Sequence, residues 1–414
     1  MHTLLSVMIL AQLCAAQKVS TPDLLQMARL RAPGLEQALR DTLGADNIEK
    51  GTAAAGEMGD FVFAIASEKG PALQIDGAPP IAAFQAGSLW VVQTRLNMGT
   101  AYKYTWLADG KPIGGANNLP AFEPDSSAKP GVPEGKLTGP IEVPSKIYPN
   151  VKANVWFYVP AQWDGVTPLA VQVWGDGQQF IDPRPGRWRV LETLDNLTAQ
   201  KRIPLMVSIF IQAGTGPERQ ERSIEYDTVS DAYLHRILDE IFPVVAKSVK
   251  MRTDGYSRAI QGLSSGGIMA FNAAFTRPDE FSRVLSWIGS YTALRRTAEH
   301  PEGGAEYPTM VRREAKRNIR VWLQDGAEDL DNQAGNWPAA NIGMANALKF
   351  KGYDYHFSFG VGQHNDGQGA AELPDALTWL WRGYDPSKTS QDFVQDPAEK
   401  DQPVWRVVRL NRTQ

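Results

Sequence analysis

The 414-residue sequence predicts an α/β fold, in which helices flank a mostly parallel sheet, preceded by a small β-sandwich domain. Two patterns indicate this. From residue 141 to 385, nearly continuous apolar runs, which suit strands covered on both faces, alternate with helical patterns. From residue 61 to 107, short runs have a hydrophobic period of two and are separated by Gly, Pro and Asn turns.

The composition is that of an ordinary globular protein, with 43% hydrophobic and 21% charged residues. Forty-two basic and 46 acidic residues give a net charge of -4, and no basic block occurs. Nucleic acid and an anionic membrane surface are therefore disfavoured as partners.

Residues 1–17 are typical of a secretory signal peptide, although Lys and Arg are missing before the apolar run. That run, Leu4 to Leu13, is too short to span a membrane and precedes small residues. Cleavage near Ala16 or Gln17 removes Cys14, the sole cysteine. We therefore expect a cysteine-free mature chain in the periplasm or outside the cell, with no membrane association.

Residues 18–125 predict an amino-terminal domain of two short helices and a β-sandwich. Helical spacing from residue 20 to 43 is interrupted at Pro33 and Gly34. Tyr102, Tyr104 and Trp106 share one face of a strand, where packing in the sandwich core is favoured over a sugar-stacking surface. The predicted strands are Phe61–Ala66, Leu89–Gln93 and Tyr102–Leu107.

Residues 126–140, rich in Pro, Gly and charge, predict a linker to an α/β domain over residues 141–385. Residues 386–414 are expected to be a polar tail with a strand over Val404–Leu410. The predicted strands of the α/β domain include Val151–Val159, Leu169–Trp174, Pro204–Ile211 and Asn318–Leu323, and its predicted helices include Tyr233–Val245 and Ala339–Phe350.

The motif that indicates chemistry is Gly262-Leu263-Ser264-Ser265-Gly266. An apolar strand pattern precedes it and an Ala/Phe-rich helical pattern follows, which is the context of a nucleophile elbow. The glycines at 262 and 266 allow the sharp turn that exposes Ser264 as a nucleophile. A Ser/Gly-rich connecting turn is the alternative.

A serine nucleophile requires a base, and His364 is the best placed of the five histidines. It lies in the loop after the alternating strand Tyr353–Phe359 and before a helix, where this class of fold presents its histidine. The others lie in the signal peptide, a helical pattern, a Pro/Gly-rich loop and a strand: His2, His235, His300 and His356.

An acid must orient that histidine, and the loop after Asn318–Gln324 supplies candidates. Asp325 lies too close to the strand end, whereas Asp329 has the reach, so we prefer Asp329 over Glu328 and Asp331. The order Ser264, Asp329, His364 is that of α/β-hydrolases.

An oxyanion hole requires two backbone amides. The first is expected from Ser265, directly after the nucleophile. For the second we favour Gln178, after the Trp174-Gly175-Asp176-Gly177 turn, with a plain Gly-rich turn as the alternative. No metal site or cofactor is expected, since no His/Asp/Glu cluster has ligand spacing and Gly175-x-Gly177 lacks the rest of a phosphate loop.

Four segments together resemble the enterochelin-esterase-like branch of the esterase D superfamily, which includes feruloyl and acetylxylan esterases. The resemblance covers about residues 140 to 385. The segments are Gly262–Gly267, Arg222-Ser223-Ile224-Glu225-Tyr226-Asp227, Trp174–Gly177, and Gly362-Gln363-His364-Asn365 ahead of Leu373-Pro374. The segments Tyr102–Gly110 and Asn117-Asn118 are similar to the immunoglobulin-like early-set domain that precedes the esterase in this branch.

The resemblance implies an α/β-hydrolase fold and ester hydrolysis through an acyl-enzyme, with Ser264, Asp329 and His364 as the triad. Under it, Arg222 and Glu225 orient the cleft wall, with a surface salt bridge as the alternative. Four aromatic residues are expected near the cleft as substrate-stacking groups, although core packing is equally compatible with them: Trp174, Phe180, Trp287 and Tyr291.

The lack of a basic cluster favours a small-molecule or glycan ester, aromatic or carbohydrate, over a trianionic ferric siderophore. Three alternatives stay open: a siderophore esterase, acyl transfer on the same triad, and a non-catalytic glycan-binding relative. The sequence does not predict an oligomeric state.

Overall fold

The structure, a computed structural model, describes residues 19–217 and 221–404. The predicted signal peptide and nearly all of the predicted strand Val404–Leu410 lie outside the described residues. No helix within those ranges is long and apolar enough to cross a membrane. The described chain forms two compact units, residues 19–96 with 104–116, and residues 97–103 with 117–404.

The first unit contains three helices, which cover one side of a four-stranded sheet. Sheet order is β1-β2-β6-β5 in one sheet and β4-β3-β7-β8 in the other. The last two strands continue into residues of the second unit. The elements are α1 (Thr21–Leu30), α2 (Leu35–Leu43), α3 (Ala45–Glu49), β1 (Ala53–Glu57), β2 (Asp60–Ala66), β3 (Ala72–Ile75), β4 (Ile81–Ala82), β5 (Phe84–Ala86), β6 (Leu89–Arg95), β7 (Thr100–Ala108) and β8 (Lys111–Ala121).

Apolar faces hold this unit together. Leu24 of α1 and Leu39 of α2 are fully buried in a cluster with residues of β2 and β6. The two sheets meet where the rings of Phe63 and Tyr104 pack edge to face, 4.9 Å apart. Tyr104 and Trp106 are buried, which confirms their predicted place in the core, and Tyr102 is buried as well but belongs to the second unit. This unit is therefore a β-sandwich with helices on one face.

The second unit is built on one large sheet with helices on both faces. Its strands are β9 (Lys136–Pro144), β10 (Lys152–Val159), β11 (Ala170–Gly175), β12 (Met206–Ile211), β13 (Arg258–Leu263), β14 (Arg283–Trp287), β15 (Arg320–Gly326), β16 (Asp331–Asn332), β17 (Gly335–Asn336) and β18 (Asp354–Gly360). Its helices are α4 (Val190–Ala199), α5 (Glu221–Tyr226), α6 (Ala232–His235), α7 (Phe242–Val245), α8 (Ser265–Thr276), α9 (Tyr307–Arg313), α10 (Trp337–Phe350), α11 (Gly367–Ala371), α12 (Leu373–Trp381) and α13 (Pro397–Lys400).

The eight strands of the large sheet are ordered β18-β15-β14-β13-β11-β12-β10-β9. The six strands from β18 to β12 in that order pair in parallel. Strand β10 pairs antiparallel with β12 on one side and with β9 on the other. Val171 and Val173 of β11 belong to one buried cluster and Ala170 and Trp174 to another. Burial on both faces explains the nearly continuous apolar runs and confirms the predicted α/β-hydrolase fold.

One predicted helix and one strand differ from the sequence pattern. The segment predicted as a single helix from Tyr233 to Val245 consists of α6, a π-helical stretch over Arg236–Ile241, and α7. Pro243 lacks an amide hydrogen and clashes with the preceding turn, which accounts for the irregular winding. Strand β14 was not predicted.

The segment predicted as a linker, residues 126–140, is part of the second unit. Strand β9 begins within it, at Lys136. The buried side-chain amide of Asn196 on α4 donates to the carbonyls of Asp125, at 2.8 Å, and Ser127, at 2.7 Å. The linker prediction is therefore corrected, because a Pro/Gly-rich composition also suits an extended segment anchored by side-chain hydrogen bonds.

The described part of the predicted tail also packs on the second unit. Phe393 is 2% exposed, and its amide donates to Asn318 Oδ1 at 2.9 Å. Arg283 and Arg320 place their guanidinium groups over the Phe393 ring. Residues 386–404 thus differ from a solvated tail, because the Phe393 ring and backbone carbonyls at Pro386, Lys388 and Gln391 contact the second unit.

Replacing Asn196 by Ala tests the anchoring of residues 125–127. We expect a loss of about 1 to 3 kcal/mol in the free energy of unfolding, because two carbonyls lose their donor. Urea unfolding measures the loss, with the exposed Lys247→Ala as control. Equal stability of Asn196→Ala and the control would contradict the anchoring role.

Candidate active site

Ser264 stands at the tight connection between β13 and α8, with φ 56° and ψ -120°. Its amide donates to the carbonyl of Trp287 at 2.9 Å, and its own carbonyl accepts from the amide of Ser290 at 3.1 Å. A side chain at Gly262 would collide with the backbone of Gly266. The backbone is therefore held in a strained conformation that depends on the missing side chain at Gly262.

His364 and Asp329 lie beside this serine at the carboxyl edge of the sheet. His364 Nε2 is 2.8 Å from Ser264 Oγ, and His364 Nδ1 is 2.6 Å from Asp329 Oδ1. The Asp329 side chain is fully buried, whereas that of His364 is 22% exposed. The structure thus brings the three predicted triad residues into one hydrogen-bonded chain, with the geometry of a nucleophile, a base and an orienting carboxylate.

The surroundings of Asp329 keep it ionised. Burial raises the pKa of Asp329, but the hydrogen bond with His364, then that with Asp325, outweigh burial and leave the pKa below its ordinary value. The amide of Leu330 also donates to Asp329 Oδ1, at 2.5 Å. Asp329 is therefore an anion at neutral pH and able to stabilise an imidazolium.

The two other acids considered from the sequence do not contact His364. Glu328 Oε2 accepts from Lys103 Nζ at 3.1 Å and from Gln363 Nε2 at 3.2 Å, and Asp331 is exposed on β16. Gln363 Oε1 accepts in turn from Asn117 Nδ2 at 2.7 Å. Glu328 and Gln363 therefore hold the loop that carries His364.

Ser290 and Trp337 complete the surroundings of the serine, and sequence reasoning missed both. Ser290 Oγ is 3.3 Å from Ser264 Oγ and accepts from Trp337 Nε1 at 3.2 Å. The Trp337 ring packs edge-on against His364, with centroids 5.7 Å apart. Neither residue lies in a recognisable motif. Each follows a strand that the sequence pattern did not predict, β14 for Ser290 and β17 for Trp337.

The turn after β11 is tied to the elbow by an arginine. Asp176 has φ 51° and precedes a short 3-10 helix, Gly177–Phe180. Arg222 donates to both carboxylate oxygens of Asp176, with Nε at 2.9 Å from Oδ1 and Nη2 at 2.7 Å from Oδ2. Its Nη2 also donates to the carbonyl of Leu263 at 3.3 Å. Arg222 thus ties the turn after β11 to the end of β13, and its predicted role in orienting the cleft wall stays a prediction.

The predicted oxyanion amides occupy chain positions suited to the role. Ser265 is the first residue of α8, and Gln178 is the second of the 3-10 helix. Amides in a first helical turn have no acceptor within their own helix, so they point outward. Ser265 Oγ donates to the buried Asp227 at 3.1 Å, which orients the start of α8.

The four aromatic residues expected to stack on substrate are core residues instead. Trp174 and Trp287 are 0% exposed, and Phe180 and Tyr291 are no more than 3% exposed. Trp174 stacks on Phe210, and Phe180 packs edge-on against Trp287. The prediction was wrong because the carboxyl ends of these strands are covered by aromatic neighbours.

Glu225 also does not form the cleft wall. It is 2% exposed, pairs with the buried Arg236 and accepts from the amide of Gly214 at 2.7 Å. The corrected interpretation is a buried ion pair that holds residues 211–217, the segment after β12, against the π-helical stretch. The alternative considered from the sequence was a salt bridge at the surface, whereas the salt bridge that Glu225 forms is buried.

Comparison with known proteins identifies the family. Residues 147–380 match the family described as putative esterase. The chain belongs to this family.

Relatives of this esterase include an iron(III) enterobactin esterase from Dickeya dadantii (strain 3937). The two are 24% identical over 242 residues, which are 58% of this chain and 54% of that protein. The esterase therefore spans about half the length of this curated relative.

Solved structures similar to the esterase include two enterobactin esterases. That of Shigella flexneri, determined with enterobactin, has a TM-score of 0.54 at 18% identity and covers 78% of this chain and 93% of its own. The ferric enterobactin esterase of Salmonella typhimurium has a TM-score of 0.53 at 18% identity, covering 79% and 95%. At this identity the likeness shows the shared fold.

The position of Asp329 in the hydrogen-bonded chain predicts unequal effects of two neighbouring substitutions. Asp329→Asn should lower kcat about 10,000-fold, because an amide donates to His364 and imposes the wrong tautomer. Glu328→Gln should change it no more than about fivefold, because it breaks an exposed ion pair with Lys103 while the new amide oxygen can still accept from Gln363. Hydrolysis of p-nitrophenyl acetate measures kcat for both variants. A larger loss in Glu328→Gln than in Asp329→Asn would mean that Glu328 is the acid that orients His364.

Burial of Glu225 predicts a structural effect of its removal. Glu225→Ala should lower the free energy of unfolding by about 3 to 5 kcal/mol, because Arg236 then stays buried without its partner. Unfolding in urea and KM for p-nitrophenyl acetate are the measurements. The double variant Glu225→Leu/Arg236→Met is the matched control and should recover most of the stability. A raised KM with unchanged stability would restore a substrate role for Glu225.

Proposed function

We propose that this esterase is a serine carboxylic-ester hydrolase that acts through an acyl-enzyme. The supporting observation is the continuous hydrogen-bonded chain from Ser264 Oγ through His364 to the buried Asp329. Its nucleophile has a strained backbone at the carboxyl edge of a parallel sheet.

Each step of this reaction is assigned to one group. His364 Nε2 takes the proton of Ser264 Oγ as that oxygen attacks the ester carbonyl carbon, and Asp329 stabilises the resulting imidazolium. The amides of Ser265 and Gln178 stabilise the oxyanion of the tetrahedral intermediate. His364 then gives its proton to the departing alkoxide, which leaves as the alcohol.

Deacylation repeats these roles with water as the nucleophile. His364 takes a proton from the water that attacks the acyl carbon, and the same two amides stabilise the second oxyanion. His364 returns the proton to Ser264 Oγ as the ester bond to the enzyme breaks. The carboxylic acid leaves and Ser264 is regenerated.

For the substrate we favour an aromatic or carbohydrate ester of the feruloyl or acetyl type. The pairing of charges near the elbow supports this choice. Arg222, which donates to the carbonyl of Leu263, is engaged by both carboxylate oxygens of Asp176. Asp227 and Asp366 in turn have Arg295 and Arg187 nearby. These charges favour a neutral ester over a polyanion.

A siderophore ester of the enterobactin type is the second candidate. Its support is the similarity to the iron(III) enterobactin esterase of Dickeya dadantii. Secretion to the periplasm or beyond the cell is part of the same proposal and rests on the signal-like residues 1–17.

Ser264→Ala tests the acyl-enzyme. The variant should lose at least about 1,000-fold in kcat for p-nitrophenyl acetate and methyl ferulate, because no acyl acceptor remains. The wild type should also be labelled by an organophosphonate, and the variant should not. Ser290→Ala is the matched control for loss of a neighbouring hydroxyl and should still be labelled.

Two outcomes would redirect the proposal. Equal background rates for wild type and Ser264→Ala, with no labelling, would contradict a serine hydrolase and favour a glycan-binding relative. A labelled wild type that hydrolyses ferric enterobactin at a kcat/KM well above that for methyl ferulate would replace the aromatic ester by the siderophore.

A further inference from the structure

We propose that Asp325 is a protonated carboxylic acid that positions Asp329, by donating a hydrogen bond to the Asp329 oxygen that His364 does not use. This inference rests on the proposed function, because it assigns Asp329 as the acid of the triad. It concerns a residue that the sequence alone placed too close to the strand end to take part.

The two carboxyl groups belong to one tight turn after β15. The amide of Asp329 donates to the carbonyl of Gly326 at 3.2 Å, which closes the turn. Asp325 is 0% exposed and Asp329 is 7% exposed. Within this turn the two side chains are in hydrogen-bond contact with each other.

Of the four carboxyl oxygen atoms of Asp325 and Asp329, the two Oδ1 atoms have hydrogen-bond donors and the two Oδ2 atoms do not. Asp329 Oδ1 faces His364 Nδ1 at 2.6 Å and the amide of Leu330 at 2.5 Å. Asp325 Oδ1 accepts from the amide of Gly326 at 2.8 Å. Both Oδ2 atoms are buried, and no donor among the described residues hydrogen-bonds to either. The side chain of Asn341 also contacts Asp325, and from the contact between the two carboxyl groups we assign each Oδ2 atom the other carboxyl group as its partner.

Two ionised carboxylates accept hydrogen bonds and cannot donate, so a contact between them requires one proton. A buried contact without that proton would place two like charges together in a site of low dielectric constant. The proton makes one group a neutral donor and leaves the other as the anion.

The neighbours assign the proton to Asp325. Asp329 faces His364, a hydrogen-bond donor that favours its ionised form. Burial, then the contact with Asp329, raises the pKa of Asp325 well above its ordinary value. Asn341 on α10 also faces Asp325 and favours its charge, but this effect is smaller.

A donor at Asp325 has two consequences for His364. It prevents rotation of the Asp329 carboxylate, so that Oδ1 stays directed at His364 Nδ1. It also withdraws charge from Asp329, which limits the basicity of that carboxylate. Without this donor, Asp329 would stabilise the imidazolium form of His364 more strongly. The acid limb of the pH profile of kcat/KM would then move to higher pH.

Two substitutions of similar size separate a donor from a packing role. Asp325→Asn keeps the arrangement, because its amide group donates to Asp329 Oδ2 while its carbonyl accepts from Gly326. We expect it to retain kcat within a few-fold, with the acid limb in place. Asp325→Leu removes the donor and should lower kcat about 10- to 100-fold, with little change in KM and an acid limb at higher pH. Thermal unfolding shows whether each variant is folded.

Infrared difference spectroscopy detects the proton without depending on activity. The carbonyl stretch of a buried carboxylic acid should be present in the wild type at neutral pH. It should persist in Ser264→Ala and be lost in Asp325→Asn. If the proposed function were wrong, this band would be unaffected, so the two failures are distinguishable.

Three results would overturn the proposal. One is the absence of an infrared band that Asp325→Asn removes, which would mean that Asp325 is ionised. Another is an Asp325→Asn variant as impaired as Asp325→Leu, which would mean that a negative charge is needed. The third is an Asp325→Leu variant with the kcat and acid limb of the wild type. If Asp325→Leu does not fold, the infrared band and the kcat of Asp325→Asn still show whether Asp325 is a protonated donor.

Discussion

The close approach of Gly262 and Gly266 is the constraint on which the site depends. Strand β13 and helix α8 can meet at Ser264 only because Gly262 carries no side chain, since a Cβ there would collide with the backbone of Gly266. The serine takes a backbone conformation that is costly for a residue with a Cβ, and hydrogen bonds to the neighbouring strand segment maintain it. The hydroxyl that results is directed at the loop edge of the sheet.

The parallel sheet brings the remaining groups to that edge. Loops after β11, β13, β15 and β18 contribute Gln178, Ser264, Asp329 and His364. Strand pairing fixes the starting point of each loop, and specific polar contacts then fix its course. Arg222 holds the turn after β11, and Glu328 with Gln363 holds the loop of His364. These residues act through position, and the proposed reacting atoms belong to Ser264 and His364.

Buried charge has two different uses in this molecule. Glu225 and Arg236 form a buried ion pair, with Glu240 as a second carboxylate 3.9 Å from Arg236. Beside the serine, Asp325 and Asp329 are like groups in contact, which is favourable only with a shared proton. The first arrangement holds a loop in place, and the second tunes the carboxylate that His364 meets.

The sequence by itself determined the fold class, the elbow and the order of the triad, because these depend on local patterns. Strand periodicity, the spacing of glycines and the position of His364 after a strand are all visible along the chain. The sequence also favoured Asp329 over Glu328 as the acid, because Asp329 lies far enough beyond the end of its strand to reach His364. The sequence placed Trp174, Phe180, Trp287, Tyr291 and Glu225 at a cleft, and the tertiary structure buries them.

Burial is decided by which elements cover a residue, and those elements come from distant parts of the chain. For the same reason the sequence did not reveal Ser290 and Trp337. These two residues reach Ser264 only after β14 and α10 have packed. The same reason applies to residues 126–140, where composition indicated a linker and Asn196 of α4 anchors the segment. Local propensity therefore determined the elements, and only long-range packing decided which side chains face the substrate and which face the core.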